Sequence, residues 1–448
     1  MDSIDLSTID YAIIFGYFAI VFLIPLFIKK KDNDIENYFL AGRRLTLPLF
    51  ITTLVTTWYG NLLGVSEISY KHGIVNWFTQ GFFWYIVYLF FALFLVNKIR
   101  KHKLFTIPDQ LEKFYDKKTA LAGAVVNLFM LTPAPYILSM GLIFHLIFSI
   151  DAKWGIIIGT VIPLFYTLKG GFKAVIYTDF IQFIFMFIGV AAIIPFAIAK
   201  YGGFSFVFEN APETHFQITG DWSPQLVLAW FLIALWTIVD SGFHQRVYAA
   251  KDNNVARNGI LLATIFWFVF DLMITAIGIF AFAAMPGLEA TTALPVFASS
   301  VLPVVLKGIF FTGLIATVMS TLDSLVFSSS MCLSHDIYRR ISGVTDEKKI
   351  IKVNKIAIIL IVSIALFISV FYSSIIELVY TRGSIGISAL LIPILGAYYL
   401  KTNKPAAAFW SIIIATLVSV LCFIFRPFDI EPLYLGLMSS LLVFTIKR

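Results

Sequence analysis

Charge is what this 448-residue chain has least of. Only 13% of its residues are Asp, Glu, Lys or Arg, against roughly 25% in an ordinary soluble protein. Cysteine is nearly missing: Cys332 and Cys422 are the two examples, each inside an apolar run. That excludes a disulfide framework and leaves two small buried hydrophobes. The chain has no P-loop and no His-Glu-x-x-His, so neither ATP-driven transport nor zinc proteolysis is expected of it. His244 follows Asp240 by four residues, but a His–Asp pair at a helix end needs no catalytic explanation. No linker or low-complexity stretch divides the chain. No basic leader opens it either. Asp2 and Asp5 precede a first apolar run, 9–28, that is too long for the core of a cleavable signal.

Apolar residues are what it has. They make up 59% of the chain, Phe alone contributes 46, and mean hydropathy is +0.89. Such a chain could not cover its surface with polar groups in water. A soluble globular enzyme, a disordered chain and a nucleic-acid binder are thereby excluded. The surrounding solvent is lipid bilayer. Thirteen apolar runs lie at about 9–28, 45–66, 76–97, 119–149, 153–168, 178–200, 224–242, 258–285, 303–333, 353–373, 376–400, 406–425 and 432–446. We number them as spans 1 to 13. Lipid offers the backbone no hydrogen bonds, so spanning runs must be helices. The fold class is therefore all-α, with about 13 transmembrane helices in a single domain, 1–448.

The net charge of +7 reads as topology. If span 1 exits inward, 27 of the 33 Lys and Arg fall in seven cytoplasmic segments. The other six are Lys71, Lys153, Lys200, Lys307, Arg382 and Arg426. This asymmetry is the positive-inside pattern, with the N-terminus outside and the C-terminus in the cytoplasm. With no signal and no organellar leader, a bacterial inner (plasma) membrane is the expected location. The last run ends close to the C-terminus, so no attached soluble domain is expected.

Two spans depart from plain hydrophobicity. Span 2 carries Thr52, Thr53, Thr56 and Thr57, then Trp58-Tyr59-Gly60-Asn61. A Gly-Asn pair among hydroxyls at this depth reads as a helix break lining a cavity, or as a small-residue packing face. Span 9 carries Thr317, Ser320, Thr321 and Ser324 at i, i+3, i+4 and i+7, one helix face, with Asp323 beside it. Hydroxyls so placed suit a hard cation, or hold helices together. Asp179, Asp240, Asp271, Asp323 and Glu67 all lie in or beside apolar runs. A charge there costs ~2.5–3.5 kcal/mol on insertion scales, which points to an ion pathway. Asp179 and Asp240 also fit an interfacial role beside Lys and Arg. Arg382 has three readings: snorkelling to the surface, pairing an anionic solute, or closing a gate against Glu67 or Glu377. Trp77, Trp84, Trp230 and Trp236 fit an interfacial belt or the walls of a solute cavity.

Four stretches carry a resemblance: YFLAGRRL at 38–45, YTLKGGFKAVIYTDFIQ at 166–182, HQRVYAAKD at 244–252, and ATVMSTLDS with HDIYRR within 316–340. Together they resemble the sodium:solute symporter family, whose members couple sodium to proline, sugars, pantothenate or sialic acid. The resemblance implies an inverted five-plus-five helix repeat with broken helices. Span 1 stands in front, repeat one covers about 45–200, repeat two about 224–400, and additional helices fill 406–446. It implies sodium held by backbone carbonyls of Thr56 and Tyr59 with Thr317, Ser320 and Thr321. Asp179, with Asp323 and Ser324, would serve a second cation or a proton. Solute contacts are expected from Trp58, Gly60, Asn61, Gln80, Trp236 and Arg382. Gly60-Asn61-Leu62-Leu63 departs from the polar cluster of the sugar transporters. With Arg382, that favours an amino acid or organic acid over a sugar. The expected activity is sodium-coupled symport of a small organic solute by alternating access. The alternatives are a proton-coupled carrier using Asp179 and Asp323, and a transporter-like sensor or channel.

Overall fold

The computed structural model describes residues 4–27, 34–371, 375–400, 404–425 and 430–446. Part of the charge pattern, including Arg426 and Lys401, lies outside the described residues. Within them every regular element is a helix, and ten helices are long and apolar enough to cross a membrane. Three of the expected thirteen spans, 2, 5 and 13, fall outside those ten. Span 2 is two short helices, Leu47–Trp58 and Leu62–His72. Span 5 runs from Ala152 to a kink at Gly171. Span 13 is Pro432–Ile446. One further apolar helix, Ala290–Val301, lies where the sequence suggested only a loop.

Burial orders the bundle. The apolar stretch of Leu306–Ser342 is 89% buried, while those of Thr8–Phe27 and Pro405–Phe425 are 33% buried. Span 9 is thus the central post, and spans 1 and 12 face lipid. Phe27, Phe425 and Ile446 stay largely exposed, as a protein dissolved in hydrocarbon allows.

Local chemistry decides where helices break. Gly171 has φ +57° and ψ −156°, and the Tyr38 ring sits against the place of a β-carbon there. The Gly-Gly of the 166–182 stretch is therefore the corner between spans 5 and 6. Span 2 stops at Tyr59 and restarts after Asn61. Span 7 is also interrupted: Pro224–Ile233 ends at Ala234, a turn follows, and Asp240 is extended before Ser241–Ala249. Asp240 caps that last helix, accepting from Phe243 N at 2.6 Å. The first helix of each expected repeat is thus discontinuous. A main-chain clasp joins the two at their basic ends: Leu45 N donates to Ala249 O and Lys251 N donates to Leu45 O, each at 3.0 Å.

The basic end is also tied by charge. Asp109 accepts from Arg340 at 2.5 Å and Arg339 at 3.1 Å, and His335 Nε2 lies 3.2 Å away. Arg340 also bonds Asp336 and Glu112, each at 2.8 Å. Burial works against the Asp109 charge. The neighbouring His335, Arg340 and Arg339 outweigh it and hold the carboxyl well below the usual carboxylate range. A depressed pKa stabilises the fold above the unfolded value of about 4, and that contribution is lost as pH falls through the folded value. Asp109→Asn should cost ~3–5 kcal/mol, as breaking a buried ion cluster does. Its melting temperature in detergent should be lower at neutral pH and respond less to acidification than that of the wild type. Equal melting of the two proteins at neutral pH would refute the role.

Candidate functional site

The break in span 2 faces span 9. Thr321 Oγ1 donates to Thr57 O at 2.8 Å and lies 3.5 Å from Thr56 O. Gly60 permits this approach, since a β-carbon there would stand 2.2 Å from Thr321 Oγ1. Gly60, named from the sequence as a solute contact, seats span 2 on span 9. Ser320, one residue earlier, turns to a second partner and donates to Asp179 at 2.5 Å. Thr53 donates to the other Asp179 oxygen. Thr317 donates to Gly313 O of its own helix at 2.7 Å, the back-bond a helical threonine commonly makes. Of the expected sodium ligands, the Thr56 carbonyl and Thr321 come together, and Ser320 and Asp179 form an adjoining pair. Tyr59 was expected to act through its carbonyl; its hydroxyl donates to Asp271.

Arg246 is the residue that reading the sequence missed. It counted as a loop charge, yet it is 1% exposed at the centre of the bundle. Its Nε donates to Thr53 Oγ1 at 3.1 Å, and its Nη2 donates to Thr57 Oγ1 at 2.6 Å and Ser324 Oγ at 2.9 Å. The same nitrogen stands 3.7 Å from Asp179. Ser324 therefore joins Arg246 and Thr57 rather than Asp179. Asp323 is fully buried and interacts electrostatically with Arg246 and with Tyr17 of span 1. The signal was present in the Gln245-Arg246 pair, but its position after span 7 hid the depth that the interrupted helix gives it.

Beyond this oxygen-rich seam lies a cavity of about 120 Å³, lined by Trp58, Asn61, Gln80, Trp236 and Arg382, with Asp271. Five of the six expected solute residues thus converge, Gly60 being the exception. Arg382 neither snorkels nor reaches Glu67 or Glu377. It is 2% exposed and donates to Met130 O at 3.2 Å, Thr132 O at 2.6 Å and Tyr136 Oη at 2.8 Å. It thereby closes the interruption of span 4 between Met130 and Ala134. Glu67 pairs instead with Lys71 at 2.6 Å. Three buried polar atoms on the cavity's lining side chains have no hydrogen-bond partner: Asn61 Oδ1, Trp84 Nε1 and Arg382 Nε. Buried polar groups are seldom left so, and a polar solute would satisfy them. Trp84 and Trp236 both line this cavity. Trp230 lies between it and a second cavity of about 570 Å³ lined by Glu67, Lys71, Glu377 and Glu431. Trp230 and Tyr380 line both, with ring centroids 5.7 Å apart.

Discontinuous helices, a seam of oxygen ligands and a central cavity with unpaired polar groups are features that secondary transporters share. A family match then fixes the lineage: the chain belongs to the sodium:solute symporter family, whose pattern covers residues 38–415. It is 27% identical to the sodium/glucose cotransporter of Vibrio parahaemolyticus over 98% of this chain and 88% of that one. It is 28% identical to the high-affinity choline transporter 1 of Drosophila melanogaster over 74% of this chain and 57% of that one. The solved outward-open, substrate-bound state of a Na+-coupled sialic acid symporter superposes with a TM-score of 0.86, at 21% identity, over 99% of this chain and 98% of that one. That likeness shows the fold. The chain is a multi-pass membrane protein of a family of transporters.

Proposed function

We propose that the protein is a sodium-coupled symporter that imports a small carboxylate-bearing solute across a bacterial inner membrane. One observation carries the reading: where span 2 breaks, the span 9 hydroxyl of Thr321 donates to the Thr57 carbonyl at 2.8 Å and lies 3.5 Å from the Thr56 carbonyl. Hydroxyl and carbonyl oxygens suit a hard cation such as sodium. Thr56, Tyr59, Thr317, Ser320 and Thr321 form the main site. Sodium ties span 2 to span 9 and favours the outward-facing state. The solute then occupies the cavity, with its carboxylate toward Arg382 Nε and Trp84 Nε1. Spans 2–6 and 7–11, the two inverted halves, rock to open the cytoplasmic side. Coupling requires that sodium bind the two states with different affinity. A proton-coupled carrier is less well supported, because Asp179 already has Arg246 and two hydroxyls as partners.

The test is thermal unfolding of the purified protein, titrated with sodium against potassium at constant ionic strength. A saturable sodium shift is expected in the wild type. It should weaken at least ~10-fold in Ser320→Ala/Thr321→Ala, a loss of ~1.4 kcal/mol. Equal sodium affinity in the double variant would sink the assignment. A shift that follows pH and ignores sodium would favour the proton-coupled carrier.

A further inference from the structure

We propose that Asp271 is the counter-ion for an ammonium group on the transported solute, so that the cavity takes organic cations and zwitterions in preference to neutral polyols. This rests on the reading of the central cavity as the solute site.

Asp271 sits in the middle of the helix Asn253–Ala284 and is 3% exposed. Neither end of that helix is near enough for the carboxylate to reach water along it. One oxygen accepts the hydroxyl of Tyr59, at the break in span 2, and the other accepts that of Tyr85, in span 3. The two tyrosines orient the carboxylate but bring no positive charge. No Lys, Arg or His forms an ion pair with it among the described residues. Asp179 differs: it has Arg246 beside it.

A carboxylate has about four acceptor positions, and the tyrosines occupy two. The rest belong to a group that lines the cavity. Trp58, Trp84, Tyr88 and Trp267 line the same cavity. Aromatic faces attract a desolvated cation, and a buried carboxylate without a counter-charge is costly. An ammonium group answers both. It places positive charge beside Asp271 and its apolar substituents against the rings. A neutral sugar would offer hydroxyls to Asp271 and leave the charge uncompensated. Arg382, on the same cavity, takes the carboxylate, so an amino acid or betaine fits better than a simple cation.

The experiment compares matched pairs of probes in saturating sodium: choline and its uncharged tert-butyl analogue, L-proline and cyclopentanecarboxylate, glucosamine and glucose. Binding is read from the intrinsic fluorescence of the full-length protein, since Trp58, Trp84, Trp236 and Trp267 all line the cavity. The expected result is that at least one ammonium-bearing probe binds, and at least ~10-fold more tightly than its partner. In Asp271→Asn, which keeps an acceptor for one tyrosine, that preference should vanish. Equal binding within each pair overturns the proposal. So does a preference that survives Asp271→Asn, and so does a wild type that binds no ammonium-bearing probe. A carboxyl kept neutral by a resident proton would also give equal binding within pairs. The sodium shift of the wild type is measured alongside. If it is absent, the symport reading fails. If it is present without the ammonium preference, only the role of Asp271 fails.

Discussion

Gly60→Ala is expected to weaken sodium binding by at least ~10-fold and to lower stability by ~1–3 kcal/mol, the usual cost of overpacking. The added β-carbon would fall 2.2 Å from Thr321 Oγ1, 2.3 Å from its Cβ and 2.8 Å from its Cγ2. Contacts this short cannot be relieved by a rotamer change, because the Thr321 Cβ is itself in the way. The two helices must part, and the Thr57 carbonyl, now 2.8 Å from the Thr321 hydroxyl, must move with them. Backbone freedom is not the issue, since no left-handed φ is required at Gly60. The substitution therefore reports on helix approach alone. A sodium titration by thermal unfolding checks it. A variant with wild-type sodium affinity would show that the approach of span 2 to span 9 does not form the site.

Arg246→Ala is expected to cost ~3–5 kcal/mol, because it leaves Asp179 buried without its cation. It also removes the donor that Ser324 shares with Thr57. Arg246→Lys should recover part of the loss, since an ammonium keeps the charge but not the planar fork that reaches Thr53, Thr57 and Ser324 together. The sharper measurement is a double-mutant cycle. Asp179→Asn removes the charge that Arg246 neutralises. Arg246→Ala combined with Asp179→Asn should therefore destabilise less than the sum of the two single variants. Strict additivity would mean that the two side chains do not act as a pair.

Much of the architecture was legible in the chain. In lipid, continuous apolar runs of about 20 residues can only be helices, and the runs that met that constraint were found. The break in span 2 announced itself through Gly60 and Asn61. The break in span 7 did not: Leu235, Trp236 and Val239 read as unbroken helix, and the cap at Asp240 is visible only once Phe243 N is seen to donate to it. Ala290–Val301 was missed because Pro295 lies inside it and a proline in an apolar stretch reads as an interruption. The site divided in the same way. Hydroxyls on one face of span 9 follow from helical spacing, so Thr321 and Ser320 could be named. Which of them meets a carbonyl and which a carboxylate depends on Asp179 and Thr57, far away in sequence. Arg246 and Arg340 were counted as loop charges, since sequence position says nothing of depth at the end of a helix. Asp271 was visible as a buried acid, but Tyr59 and Tyr85 come to it from two other spans.

The clasp between Leu45 and Ala250 has a consequence for mutational history. It is made of main-chain atoms alone, so the identity of the side chains at positions 45, 249, 250 and 251 is not what holds it. An alanine scan would pass over it in silence. Drift at these positions leaves the joint intact, provided no proline removes the amide of residue 45 or 251. The attachment between the two interrupted helices is therefore inherited through the path of the backbone, while the residues that choose ion and solute remain free to diverge.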